Sequence, residues 1–159
     1  MSLPPDLERE FHRSLRQARM VAMVCCFLAP LIYAYSFGAQ KLQGRWLLFL
    51  AGFGGLDWRD HRVAGALATA VAALVLALVL PGRLGRMAGG RTSLSALRGR
   101  NLLTSALLLA VAISGLWLGM KVGEDAASLC LVLFLLPPLR GLQVFPSEPR
   151  WRKAIANAA

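Results

Sequence analysis

The sequence predicts an all-α polytopic membrane protein with four transmembrane helices and a short interfacial or re-entrant segment between helices one and two. Of the 159 residues, 57% are hydrophobic and only 16% are charged, whereas about a quarter of the residues of a soluble domain are charged. The apolar residues are concentrated in four runs, at 20–37, 63–80, 102–120 and 126–145. We therefore expect a single integral membrane domain that covers residues 1–159.

The first apolar run, residues 20–37, follows a segment with four arginines and contains Pro30. A secretory signal peptide would be followed by a small-residue cleavage pattern, which is missing here, and three more apolar runs come after it. We expect this run to be a retained transmembrane helix.

The second and third runs have the length that a bilayer requires. Val63–Leu80 ends at the sequence PGRLGR, where proline, glycine and arginine together end a span. Leu102–Met120 has nineteen residues without a charge, which gives a helix of about 28 Å against a hydrocarbon core of about 30 Å.

The fourth run is interrupted by two prolines. Its first part, Ala126–Leu136, has eleven residues, or about 16 Å of helix, which is too short to span alone. Pro137 and Pro138 remove two amide donors, so the carbonyls of Leu133 and Phe134 lose their usual partners. Such groups must be satisfied inside a bilayer, and we expect a kinked helix that packs against protein and continues beyond the prolines.

The connection between the first two runs contains the apolar sequence WLLFLAGFGGL at 46–56. It is too short and too rich in glycine to span, which favours an interfacial or re-entrant segment. Trp46 and Trp58 flank it, and Trp117 and Trp151 lie near the ends of other predicted spans. Tryptophan is enriched at membrane interfaces, so we expect all four to be interface anchors.

The distribution of basic residues predicts the orientation of the four spans. Thirteen lie on the side of both termini: Arg9, Arg13, Arg16, Arg19, Arg83, Arg86, Arg91, Arg98, Arg100, Arg140, Arg150, Arg152 and Lys153. Five lie on the other side: Lys41, Arg45, Arg59, Arg62 and Lys121. By the positive-inside rule, the N-terminal segment 1–19 and the C-terminal tail 146–159 lie in the cytoplasm, and a bacterial cytoplasmic (inner) membrane is expected.

The net charge of +10 is better suited to lipid headgroups than to nucleic acid, because the basic residues lie in the connections between apolar runs. Neither a recognition helix nor a zinc-ligand spacing accompanies them, so no nucleic-acid partner is expected. Membrane lipids are expected partners, with Arg140, Arg152 and Lys153 as candidate headgroup contacts. Arg140 is the one ionisable residue inside a predicted span, and simple snorkelling to the interface would also account for it.

Small residues recur on two predicted helices and mark candidate sites of close helix packing, because transmembrane helices associate through small side chains. The candidate interface residues are Gly65, Thr69, Ala73, Ala112, Gly115 and Gly119. Two interpretations remain open. The helices of one chain could pack in this way, or the faces could contact other membrane protein subunits or a second copy of the chain.

Catalytic and metal-binding motifs are missing from the sequence. Asp57, Asp60 and His61 are close together in DWRDHR, but nothing fixes three ligands in one geometry, and mixed charge just outside a span is ordinary. The three cysteines lie within apolar runs, where they are usually packing residues. We expect neither a metal site nor an enzyme.

Two stretches carry a resemblance to a known class of protein. The sequence LRQARMVAMVCCFLAPLIYAYS at 15–36, and SALLLAVAISGLWLG at 105–119 with the later FPSEPRW, resemble small bacterial four-span membrane proteins that look like relatives of rotary ATPase proteolipid (c) subunits. Proteolipid subunits carry ions on a buried carboxylate. This chain departs from that pattern, because none of its four predicted spans contains Asp or Glu.

The leading functional hypothesis is a non-catalytic structural or accessory subunit of a larger or oligomeric membrane complex. Two alternatives stay open: a small transporter or ion-conducting protein, and a lipid- or cofactor-binding membrane subunit. The sequence does not say which cofactor, whether lipid, pigment or haem, would be bound.

Overall fold

A computed structural model describes residues 5–43, 45–50, 52–87 and 94–156, and within these ranges it contains helices and turns but no strand. The all-α prediction is thereby confirmed. The α-helices of these ranges are α1 (Pro5–Met23), α2 (Ala29–Gln40), α3 (His61–Met87), α4 (Leu94–Val122), α5 (Ala127–Val144) and α6 (Glu148–Ala156).

Three helical stretches of the described chain are long and apolar enough to cross a membrane, namely Pro5–Gln40, His61–Leu80 and Leu94–Val144. The third stretch has 51 residues and contains both α4 and α5, with a 3₁₀ turn at Gly123–Ala126 between them. Gly123 has φ +83°, a conformation that glycine adopts without the steric cost of a Cβ. The two helices then run antiparallel, since Gly115 lies against Leu133 and Gly119 against Cys130.

The first helical stretch is longer than the predicted span. The chain is helical from Pro5 to Gln40, so the segment predicted only as a cytoplasmic extension is helical as well. At Val24–Leu28 the helix widens into a π-helix, in which the Ala29 amide donates to the Val24 carbonyl. Pro30 explains this turn, because proline has no amide to donate to the carbonyl four residues back and its ring would clash with it.

The connection between α3 and α4 is shorter than the sequence indicated. The predicted second span ended at Leu80, whereas α3 continues to Met87. Arg98 and Arg100, predicted in the connection, lie on α4, which begins at Leu94. Arg91 of that connection lies outside the described residues, as do 1–4 and 157–159 of the predicted terminal segments.

The apolar sequence at 46–56 forms a 3₁₀ turn over Trp46–Leu50. Phe49 is buried and its ring lies 5.8 Å from that of Phe37, which attaches the turn to α2. Leu47 on the opposite side is 82% exposed. The structure thus shows a short turn that packs against α2. Its placement at or within a membrane stays a prediction.

Helix α4 occupies the centre of the fold and contacts α1, α2, α3 and α5. Its buried side chains lie on more than one face, as expected for a central helix that is apolar all round. Helix α3 contributes one narrow face, which consists of Val63, Ala66, Ala70, Ala73 and Ala77. These residues are spaced alternately by three and four, the spacing of a helix that packs closely along another.

A second, smaller core lies at one end of the bundle, between the first part of α1, the start of α4 and α6. It contains Phe11, Leu15, Ala18, Leu97 and Trp151, and we call this group of contacts the terminal cap. Trp151 is only 6% exposed, and its ring lies edge-on to Phe11 at 6.3 Å. The prediction that Trp151 anchors the chain at a membrane interface is therefore wrong, because its side chain is covered by protein.

Candidate functional site

The small residues of α4 make contacts within the chain. A Cβ added at Gly115 would lie 2.9 Å from Cβ of Leu133, and one added at Gly119 would lie 2.7 Å from the Phe37 ring and 3.2 Å from Sγ of Cys130. Ala112 is fully buried on the same helix. The structure thus uses this face to bring α5 and α2 close to α4.

The small residues of α3 are divided between two faces. Ala73 is buried and belongs to the face that packs on α4. Gly65 and Thr69 are exposed, and a Cβ added at Gly65 would have no atom within 4 Å. The Thr69 hydroxyl donates to the Gly65 carbonyl at 2.9 Å within the same helix. Among the described helices, these two residues are therefore not used in packing.

The exposed strip of small residues on α3 comprises Gly65, Ala68, Thr69 and Ala72, all of them exposed. We call it the α3 small face. Because these positions recur at intervals of three and four, they lie on one side of the helix. The strip is directed away from the residues that pack on α4.

A cavity of about 270 Å³ lies beside the terminal cap, between α3, α4, α5 and α6. We call it the basic cavity, because three arginines contribute to its lining, together with four neutral polar residues. These residues are Arg100, Arg140 and Arg150, with Asn101, Thr104, Gln143 and Ser147. No acidic residue is found among the lining residues in the described part of the chain.

Two of the three arginines are held by Gln143 on α5. Arg140 donates from Nη1 to the Gln143 side-chain oxygen, and Arg150 donates from Nη1 to the Gln143 carbonyl at 2.8 Å. The Nε atom of Arg140 is buried without a hydrogen-bond partner among the described residues. A buried donor without a partner is costly and uncommon, and this one belongs to a residue that lines the cavity.

The α4 side of the cavity is connected to α1. Asn101 is buried and donates from Nδ2 to the Ala18 carbonyl at 3.1 Å. Thr104 donates to the Arg100 carbonyl at 2.9 Å, and the Arg100 side chain is exposed at the lining. This wall therefore combines a buried amide held by a hydrogen bond with an exposed cationic group.

Arg152 and Lys153, the other predicted headgroup contacts, do not line the basic cavity. Arg152 forms ion pairs with Glu8 and, at 2.9 Å, with Glu148, and its guanidinium lies 4.9 Å from the centre of the Phe11 ring. The hydrogen bond from Arg152 lowers the pKa of Glu8 below its usual value. Arg152 thus connects α6 to α1, while Lys153 is exposed.

Sequence analysis did not identify Arg100 and Arg150 as parts of a site. A signal was present for Arg100, because it lies two residues before the third apolar run while Arg140 lies near the end of the fourth. Antiparallel neighbours bring such positions to the same end of a bundle. Arg150 could not be found in this way, since its position depends on how the chain turns after Val144.

The residues of DWRDHR lie at the opposite end of the bundle. Asp57 and Asp60 accept hydrogen bonds from the amides of Arg59 and Arg62 at 2.9 and 2.8 Å, so they stabilise the turn and the start of α3. His61 is exposed. Across the described residues there is no group of three His, Cys, Asp or Glu side chains that could hold a metal ion.

Comparison with known proteins finds no matching family model, no matching curated protein and no matching solved structure.

Proposed function

We propose that this protein is a non-catalytic integral membrane protein with four transmembrane helices, which acts as a structural or accessory subunit of a larger or oligomeric membrane complex. Within the proposal, the spans are the apolar part of α1 with α2, then α3, α4 and α5. The excess of basic residues at the end with the terminal cap supports a cytoplasmic location for both termini, in a bacterial inner membrane.

The observation that carries the proposal is the α3 small face. Its residues have small side chains that project little from the helix, and this helix is long and apolar enough to span a membrane. Lipid chains fill such a surface poorly, whereas a second helix can approach it closely and gain van der Waals contact. This surface is available to another chain because α3 packs on α4 through a different face.

The proposal is tested by the substitution Gly65→Leu. No atom of the described residues lies within 4 Å of the added Cβ, so the fold is expected to be kept while the small face is blocked. Assembly size is measured in nanodiscs formed directly from native membranes, together with the proteins that co-purify. We expect the variant to lose the partner chain that the unsubstituted protein retains.

Val71→Leu is the matched control, because Val71 is exposed on α3 but lies outside the small face. Its assembly is expected to remain intact. If the unsubstituted protein is itself a monomer surrounded by lipid, or if Gly65→Leu leaves the assembly unchanged, the subunit proposal is refuted.

A further inference from the structure

The basic cavity combines four features. It lies between four helices, three arginines contribute to its lining, its described lining residues include no acidic side chain, and Nε of Arg140 is buried without a partner among the described residues. In the described chain, ion pairs with carboxylates are formed by Arg45 and Arg152 but not by Arg100, Arg140 or Arg150. Within the described part of the chain, the positive charge of the cavity is therefore not neutralised by a carboxylate.

Guanidinium groups are especially suited to phosphate. Their planar set of donors matches two oxygens of one phosphate group, and each hydrogen bond is strengthened by the opposite charges. The neutral side chains of Asn101, Thr104 and Gln143 supply further polar groups at the lining. From this arrangement we propose that the basic cavity binds an anionic phosphate group, with Arg100, Arg140 and Arg150 as its charged ligands.

The surroundings of the cavity favour a membrane phospholipid as the source of that phosphate. Arg100 precedes the uncharged run of α4 by one residue, Asn101, which places the guanidinium near the level of the headgroups. Ala77 and Leu78 of α3 are also part of the lining, and Leu78 is half-exposed on the outside of the bundle. A headgroup in the cavity would thus leave its acyl chains along α3, in contact with the bilayer.

The volume supports a headgroup as the occupant rather than a whole lipid. The cavity measures about 270 Å³, just below the roughly 300 Å³ at which pockets begin to enclose drug-sized molecules. Basic pockets between transmembrane helices on the cytoplasmic side commonly bind anionic headgroups. The site is separate from the α3 small face, so its occupation does not depend on the proposed subunit role.

The test uses the full chain reconstituted in nanodiscs that contain phosphatidylcholine and phosphatidylglycerol. Lipids that remain bound after transfer to detergent are identified by native mass spectrometry, and the thermal unfolding midpoint is measured with added phosphatidylglycerol, phosphatidylcholine or inorganic phosphate. We expect retention of phosphatidylglycerol in preference to phosphatidylcholine. We also expect Arg140→Gln to weaken that retention about tenfold or more, as the loss of a charge-assisted hydrogen bond predicts.

Arg100→Gln provides a second variant that keeps the test valid if Arg140→Gln fails to fold, because Arg100 is exposed. Arg98→Gln is the matched control: it removes the same charge from α4 at an exposed position outside the cavity. Its retention of phosphatidylglycerol is expected to equal that of the unsubstituted protein.

The outcomes distinguish a lipid headgroup, free phosphate and diffuse surface charge as explanations of binding. If inorganic phosphate raises the unfolding midpoint and displaces phosphatidylglycerol, the phosphate chemistry holds and free phosphate is an occupant as well. If it does neither while phosphatidylglycerol is retained, the lipid headgroup is the source. Equal losses for Arg98→Gln and Arg100→Gln, or retention without preference between the two lipids, would overturn the proposal in favour of diffuse surface charge.

Discussion

Gly115 on α4 and Gly65 on α3 differ in the space around them. At Gly115 the neighbouring helix is so close that even a methyl group would lie 2.9 Å from Cβ of Leu133, whereas at Gly65 the same methyl group would meet nothing within 4 Å. In the first case glycine permits contact between α4 and α5. In the second it leaves a surface that this chain does not fill.

The contrast between these glycines gives opposite stability predictions. Gly115→Ala should lower the free energy of unfolding by about 1–3 kcal/mol, because the added methyl overpacks a contact formed by a Cβ that cannot rotate away. Gly65→Ala should leave it unchanged or raise it by up to about 1 kcal/mol, since alanine is the better helix former. Both values are measured by dodecyl sulfate titration in mixed micelles. Equal effects of the two substitutions would contradict the packing described here.

At the scale of single elements, α1 and α6 are connected by charged and aromatic contacts outside the apolar bundle. Glu8 accepts from Arg152, and His12 lies 3.2 Å from the same carboxylate. The hydrogen bond from Arg152 lowers the pKa of Glu8. The ionised carboxylate therefore stabilises the contact between α1 and α6 at the terminal cap. This stabilisation is fully present above the usual Glu8 pKa of 4.5 and is lost as the pH falls through the lowered value in the folded state.

Acidification should therefore loosen α6 from α1. In a protein with Trp46, Trp58 and Trp117 replaced by phenylalanine, the emission of Trp151 reports on its burial, and we expect a shift to longer wavelength as the pH falls below about 4.5. Glu8→Gln should show the shifted emission already at neutral pH and little further change. An emission spectrum that depends on pH in the same way in both proteins would assign the transition to another group.

Element types and the central part of the packing could be predicted from sequence, because long uncharged runs leave few alternatives to helices. The face through which α3 packs on α4 could not be predicted in this way. Small residues recur every fourth position from Gly65 to Ala77, but the structure packs Ala66, Ala70 and Ala73 on α4 and exposes Gly65. A helix rich in alanine offers several small faces of similar size, and only the shape of its neighbour selects one. The basic cavity likewise depends on how four helices pack together, which no single segment encodes.

For the whole molecule, the antiparallel arrangement of α4 and α5 makes the proposed topology testable. Alkaline phosphatase inserted in the turn Gly123–Ala126 should be active, because the enzyme matures only outside the cytoplasm. A fluorescent protein fused after Ala159 should be fluorescent, and phosphatase inserted within residues 88–93 should be inactive. Finding both ends of α5 on one side of the membrane would contradict the fourth span.

The terminal cap also determines when the fold can be completed during synthesis. Glu8 and Arg152 are 144 residues apart in the chain, and the ring of Trp151 packs against that of Phe11 from a similarly distant part of the sequence. The apolar side of α1 therefore emerges from the ribosome long before its partner exists, and the cap can form only after α6 has been synthesised. Until then this side of α1 stays uncovered, and any factor that recognises it would distinguish nascent chains from chains in which the cap has formed.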